Sequence, residues 1–139
     1  MKTILKNILA VVVGLIVGSA VNMALVMISG SVIPPPTGAD TSTMVGLKET
    51  MHLFEAKHFI FPFLAHACGT FVGAFVATLI AVTHKQKFAL GIAGFFLLGG
   101  SINVFMLPTP LWYACVDLIG AYFPMAYLAF LIAGGKRKV

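Results

Sequence analysis

Residues 59–83 read FIFPFLAHACGTFVGAFVATLIAVT, a run without a single Lys, Arg, Asp or Glu. A hydrocarbon core about 30 Å thick is crossed by roughly 20 apolar residues rising about 1.5 Å each. This stretch therefore predicts a membrane-spanning helix. Within it Ala65, Gly69, Gly73, Ala77 and Ala81 recur at every fourth position. Helices in lipid associate through close packing and interhelical bonds rather than through water exclusion, so a row of small side chains marks a helix held tightly against another. Ala10, Gly14 and Gly18 form a second row, leading up to Asn22. The faces carrying Gly14, Gly18, Gly69 and Gly73 suit contacts inside one bundle and the seam of a homo-oligomer equally well.

The rest of the chain follows the same pattern. Lys, His and Pro punctuation cuts it into four spans, about residues 8–33, 59–83, 88–107 and 111–133, within one membrane domain over 1–139. The triple proline Pro34, Pro35 and Pro36 ends the first, since the proline ring removes a donor and clashes one turn back. The first apolar run exceeds the roughly 7–15 residues of a secretory signal and reads as an uncleaved helix. Only 9% of the residues are charged and mean hydropathy is +1.03, whereas a soluble chain carries about 25% charge. A soluble enzyme domain, a nucleic-acid module and a disordered tail are excluded together. The expected fold is an all-α bundle of four transmembrane helices with the lipid bilayer as its first partner.

Short loops rich in Lys and Arg stay in the cytoplasm. Lys2, Lys6, Lys85, Lys87, Lys136, Arg137 and Lys138 fall on one side; Lys48 and Lys57 fall on the other with Asp40, Glu49 and Glu55. Both termini are expected to be cytoplasmic, and the net charge of +5 serves topology and anionic lipid rather than nucleic acid. The one long loop, extracytoplasmic on this reading, carries Met44, Leu47, Met51 and Phe54 at helical spacing. A short amphipathic surface helix over about 41–56 is expected, capped by Asp40 or Thr41. Its Met-rich face would lie in the outer headgroup layer, either as a plain cover for the bundle or as a gate over a cavity.

The four most polar side chains inside the spans are Asn22, His66, Asn103 and Asp117. A faint internal repeat aligns Gly18–Asn22 with Gly99–Asn103 and His66 with Asp117, with chance as the alternative explanation. Asp117, His66 and Asn103 are each expected within about 10 Å of the outer surface; Asn22 lies deeper. Asp117 is the only carboxylate in a span, and a charge at mid-bilayer costs about 2.5–3.5 kcal/mol on insertion scales, so it must face protein or water. His66 is its natural partner, because imidazole is the side chain that ordinarily changes charge near neutral pH. Pro124 should kink the fourth helix and free the Gly120 carbonyl below the acid. The candidate binding residues are His66, Asp117, Asn103 and Asn22, lining a pH-sensitive pocket that opens outward or merely pinning the helices together.

Other chemistry fails on residue types. Cys68 and Cys115 form no Cys-x-x-Cys pair and read as packing residues. No Gly-rich phosphate loop, metal-spaced His pair or nucleophile elbow is present, and no catalytic residue, metal or cofactor is expected. The segments Val32–Pro36, His58–His66 and Leu107–Trp112 resemble those of a group of small four-helix bacterial inner-membrane proteins of unknown function. That resemblance spans nearly the whole chain and implies four helices in a bacterial inner membrane, with no activity attached. Three functions follow as expectations: binding or passing a small solute, cation or proton at the polar pocket; serving as an accessory or scaffold subunit of a larger membrane complex; or acting on a lipid headgroup with His66 and Asp117 as an acid–base pair.

Overall fold

The computed structural model describes residues 1–134; Lys136, Arg137 and Lys138, counted above among the cytoplasmic cations, lie outside the described residues. The fold is all-helical. Its elements are α1 (Lys2–Val32), α2 (Met44–Thr50), two single 3-10 turns (Met51–Leu53 and Ala56–Phe59), α3 (Ile60–Ile80), α4 (Lys85–Met106), α5 (Leu111–Gly120) and α6 (Phe123–Ile132). Four helical stretches, with α5 and α6 counting as one, are long and apolar enough to cross a membrane. The chain is a multi-pass membrane protein.

α3 is the hub and touches α1, α4 and α6. The two rows of small residues meet each other. A Cβ added to Gly14 would come within 2.7 Å of the Gly73 carbonyl oxygen, and one added to Gly18 within 2.6 Å of that of Gly69. Only glycine admits such approach between backbones. These four glycines are buried between α1 and α3 of a single chain, so a seam between copies would need another face. The remaining core is built largely of alanine, with Ala74, Ala77, Ala89, Ala93, Ala126 and Ala129 around Ile92, Tyr122 and Phe130.

The span boundaries shift for local reasons. α1 begins at Lys2 rather than Ile8, since long basic side chains at a helix end can reach the interface while the helix continues. Its end at Val32 and that of α4 at Met106 each fall two residues before a proline, with Ile33 and Leu107 extended as residues preceding proline must be. α3 stops at Ile80, because Val82 and Thr83 belong to a turn that Asn7 holds. The Asn7 amide donates to Thr83 Oγ1 at 2.8 Å and accepts from the Val82 N–H at 2.9 Å. His84 then adopts left-handed backbone, φ 48°, to start α4.

The fourth span is broken, not merely kinked. α5 ends at Gly120, Tyr122 takes φ −115°, ψ −84°, and Pro124 sits in the first turn of α6, where its missing N–H costs no helical bond. α3 has no corresponding break, so the two hairpins of the supposed repeat differ here.

The long loop departs from expectation as well. Its α-helix covers Met44–Thr50 only, and Thr43 is the cap, its hydroxyl accepting from the Gly46 N–H at 2.9 Å. Asp40 instead accepts from the Ser42 N–H and hydroxyl, and its carboxyl occupies the space that a Cβ on Gly46 would fill. The apolar stripe faces inward: Met51 is buried with Phe59 and Tyr113, against Leu47, Phe54, Phe63 and Leu107.

Candidate functional site

Asp117 lies on α5 one turn after Tyr113, and its side chain is fully buried. An ionised carboxylate is acceptor-only, and three donors converge on this one. His66 Nδ1 lies 2.9 Å from Oδ1 and 3.0 Å from Oδ2, placing its N–H across both oxygens. The Tyr122 hydroxyl donates to Oδ2 at 3.1 Å, and the Tyr113 hydroxyl makes a longer contact with Oδ1 at 3.4 Å. His66 and Asp117 come from different helices 51 positions apart in sequence.

The chain break is what admits Tyr122. On a continuous helix, residues five apart point about 140° away from each other, so a Tyr at this distance could not return to the acid. The break at Ala121–Tyr122 turns it back, and its ring lies 5.8 Å from that of His66. Gly100 of α4 makes the room: a Cβ there would overlap the Tyr122 hydroxyl.

Beside this cluster lies a cavity of about 300 Å³. Asp117, His66 and Tyr113 form its polar end. Met44, Leu47, Met51 and Phe54 cover it from the loop, with Val104 of α4, Leu107 just past its end and Val26 of α1 completing apolar walls. The Met-bearing stripe thus faces the cavity rather than a headgroup layer. His66 keeps 18% of its side chain exposed, against 1% for Asp117. Its Nε2 makes no protein hydrogen bond and is not sealed in, so the ring offers that nitrogen to the cavity. His58 also borders the space, with its Nδ1 accepting the Glu55 backbone N–H at 2.9 Å.

Of the four residues singled out from sequence, His66 and Asp117 meet. Asn103 stands on the cavity wall, exposed and without a hydrogen bond to either. Asn22 does not reach the cavity; it packs on α1 beside Gly69. Sequence reading missed Tyr113, Tyr122 and Gly100. Tyr113 was legible as the residue four before Asp117, on the same helical face. The α5–α6 break brings the Tyr122 hydroxyl to the acid as a further polar group.

Cys68 and Cys115 are both free thiols. Among the described residues, no three His, Cys, Asp or Glu side chains lie close enough together to hold a metal ion. Comparison with protein families, with curated proteins and with solved structures finds no match.

Proposed function

We propose that the protein binds a small solute, cation or proton in the cavity beneath the 44–59 segment, with His66 as the contacting group and Asp117 as the charge behind it. The observation that carries this reading is the ring nitrogen of His66 left open to an apolar cavity while its other nitrogen is fixed by a buried carboxylate. A mostly apolar pocket with a few convergent polar groups is the usual form of a small-molecule site. A carboxylate on one imidazole nitrogen sets the tautomer and aims the other nitrogen. In the proposed topology both termini are cytoplasmic and the cavity opens outward, with the loop helix at the outer interface of a bacterial inner membrane; the lysine distribution and the sequence resemblance support this. The faces carrying Gly14, Gly18, Gly69 and Gly73 are covered within the chain and are not free to dock the partners of a scaffold, which favours the pocket.

Trp112 is the only tryptophan and packs edge-on against Phe59 and Tyr113, two residues that line the cavity, with ring centroids 5.8 and 5.9 Å away. Its fluorescence in purified protein should therefore change saturably when small apolar amines or alcohols are titrated in. Filling the space with Val104→Phe should abolish that change without disturbing the His66–Asp117 bond. Saturation that persists unaltered in Val104→Phe would place binding elsewhere and refute the reading.

A further inference from the structure

We infer that the cavity selects a lipophilic amine, and that this ammonium and a second proton on His66 are mutually exclusive ways of neutralising one buried negative charge. The inference rests on the binding reading above and names its ligand class.

Few ionisable groups face His66. α5 contributes the Asp117 carboxylate and the Tyr113 hydroxyl, and the α5–α6 junction contributes the Tyr122 hydroxyl. Across the cavity stands His58, whose Nδ1 accepts a backbone N–H, so a neutral His58 ring carries its proton on Nε2. The cavity walls supplied by α1, α2 and α4 contain no ionisable side chain. Neither ion pair among the described residues brings a lysine to Asp117: Lys57 pairs with Glu55 in the loop, and the acid meets only His66.

With a neutral imidazole the polar end therefore holds one uncompensated negative charge in a medium of low dielectric, where such a charge is costly. Two things can balance it. A proton can occupy Nε2 and convert the pair to carboxylate and imidazolium. Alternatively, a protonated amine can enter the cavity and donate an N–H to the Nε2 lone pair, one ring's breadth from the carboxylate. Nε2 has a single lone pair, so both cannot happen together: an imidazolium N–H would meet an ammonium N–H, donor against donor and charge against like charge. The apolar walls receive the body of the amine. An alcohol of the same shape can make the same hydrogen bond but leaves the negative charge unbalanced, so it binds less tightly.

The test uses the full chain in lipid nanodiscs and two fluorescent probes, 1-naphthylmethylamine and its neutral counterpart 1-naphthylmethanol, titrated from about pH 5 to about pH 9. One-for-one exchange of amine for proton makes amine affinity rise about tenfold per pH unit on the acidic limb and then level off. The alcohol's hydroxyl can donate to a bare Nε2 or accept from a protonated one, so its affinity should change less than about twofold over the same limb, the slope for zero protons exchanged. His66→Gln keeps an acceptor for the amine but removes the proton site, so the amine should still bind with its pH slope lost. Asp117→Asn should bring the amine down to the affinity of the alcohol; should that variant fail to fold, His66→Gln alone still decides. Equal binding of both probes at every pH would overturn the charge argument while leaving the pocket reading intact. Failure of wild type to bind either probe would remove the pocket reading and this inference with it. An undiminished slope in His66→Gln would show that the competing proton is not on His66, and would overturn the inference.

Discussion

The two ends of the bundle each bury a polar cluster, and they do so in opposite ways. Asn7 clamps the α3–α4 turn with one amide whose oxygen and nitrogen both find protein partners, Val82 and Thr83. At the other end Asp117 gathers His66, Tyr113 and Tyr122 around one carboxylate, and the imidazole keeps a nitrogen facing a cavity. A neutral amide that satisfies itself locally is a fastener. An ionisable group that completes all its own bonds yet leaves its partner half-engaged is organised to meet something else. Burial alone does not separate the two cases; the count of unfilled hydrogen-bonding positions does.

Substitutions sharpen the contrast, beginning with the largest expected effect. Asp117→Ala strips the acceptor from three donors, two of them buried tyrosine hydroxyls, and should destabilise the protein by about 3–5 kcal/mol, the range for breaking a buried pair, as read by unfolding in mixed detergent. Gly100→Ala forces the Tyr122 hydroxyl away from the acid and should cost about 1–3 kcal/mol through overpacking. It should also alter probe binding, because the cluster shifts. Asn7→Ala should cost about 1–2 kcal/mol, the worth of its two short hydrogen bonds, and leave probe affinity unchanged. Equal sensitivity of probe binding to Asn7→Ala and Gly100→Ala would erase the distinction between the two ends.

The smallest effects belong to the loop that covers the cavity. Thr43→Ala removes the cap of α2 and should cost about 1 kcal/mol, visible as faster amide exchange over Met44–Thr50. Asp40 carries a pH signature of its own. The hydroxyl and backbone N–H of Ser42 hold its carboxyl below the usual carboxylate value. A depressed acid contributes stability that is present above its unfolded value and is lost as pH falls through the lowered one. Loop protection should therefore decline on acidification below the ordinary carboxylate range, and Asp40→Asn should flatten that decline.

Spans and helix contacts were legible because their signals are one-dimensional: apolar length, proline stops and small residues four apart. The Gly14–Gly18 and Gly69–Gly73 rows pair as their spacing implies, although sequence alone left open whether the partner was the same chain. The His66–Asp117 pairing was also legible, since a lone acid and an imidazole at equal depth have few alternatives in lipid. Tyr122 was not, because its approach depends on a break at Ala121–Tyr122 that Pro124 announces only as a kink. Asn7 was hidden by starting the first span at Ile8, the residue after it, whereas the helix begins at Lys2. Asn22 was grouped with the acid by an alignment of hairpins, whereas close packing against Gly69 keeps it on the α1–α3 seam.

Nitrogen-15 spectra of histidine-labelled protein in bilayers test the central claim most directly, with the His66 signals assigned by their loss in His66→Gln. The expected result is a protonated, hydrogen-bonded Nδ1 and an Nε2 resonance that moves when 1-naphthylmethylamine is added at neutral pH. An Nδ1 without its proton, or an Nε2 indifferent to the amine at saturating concentration, would contradict the account.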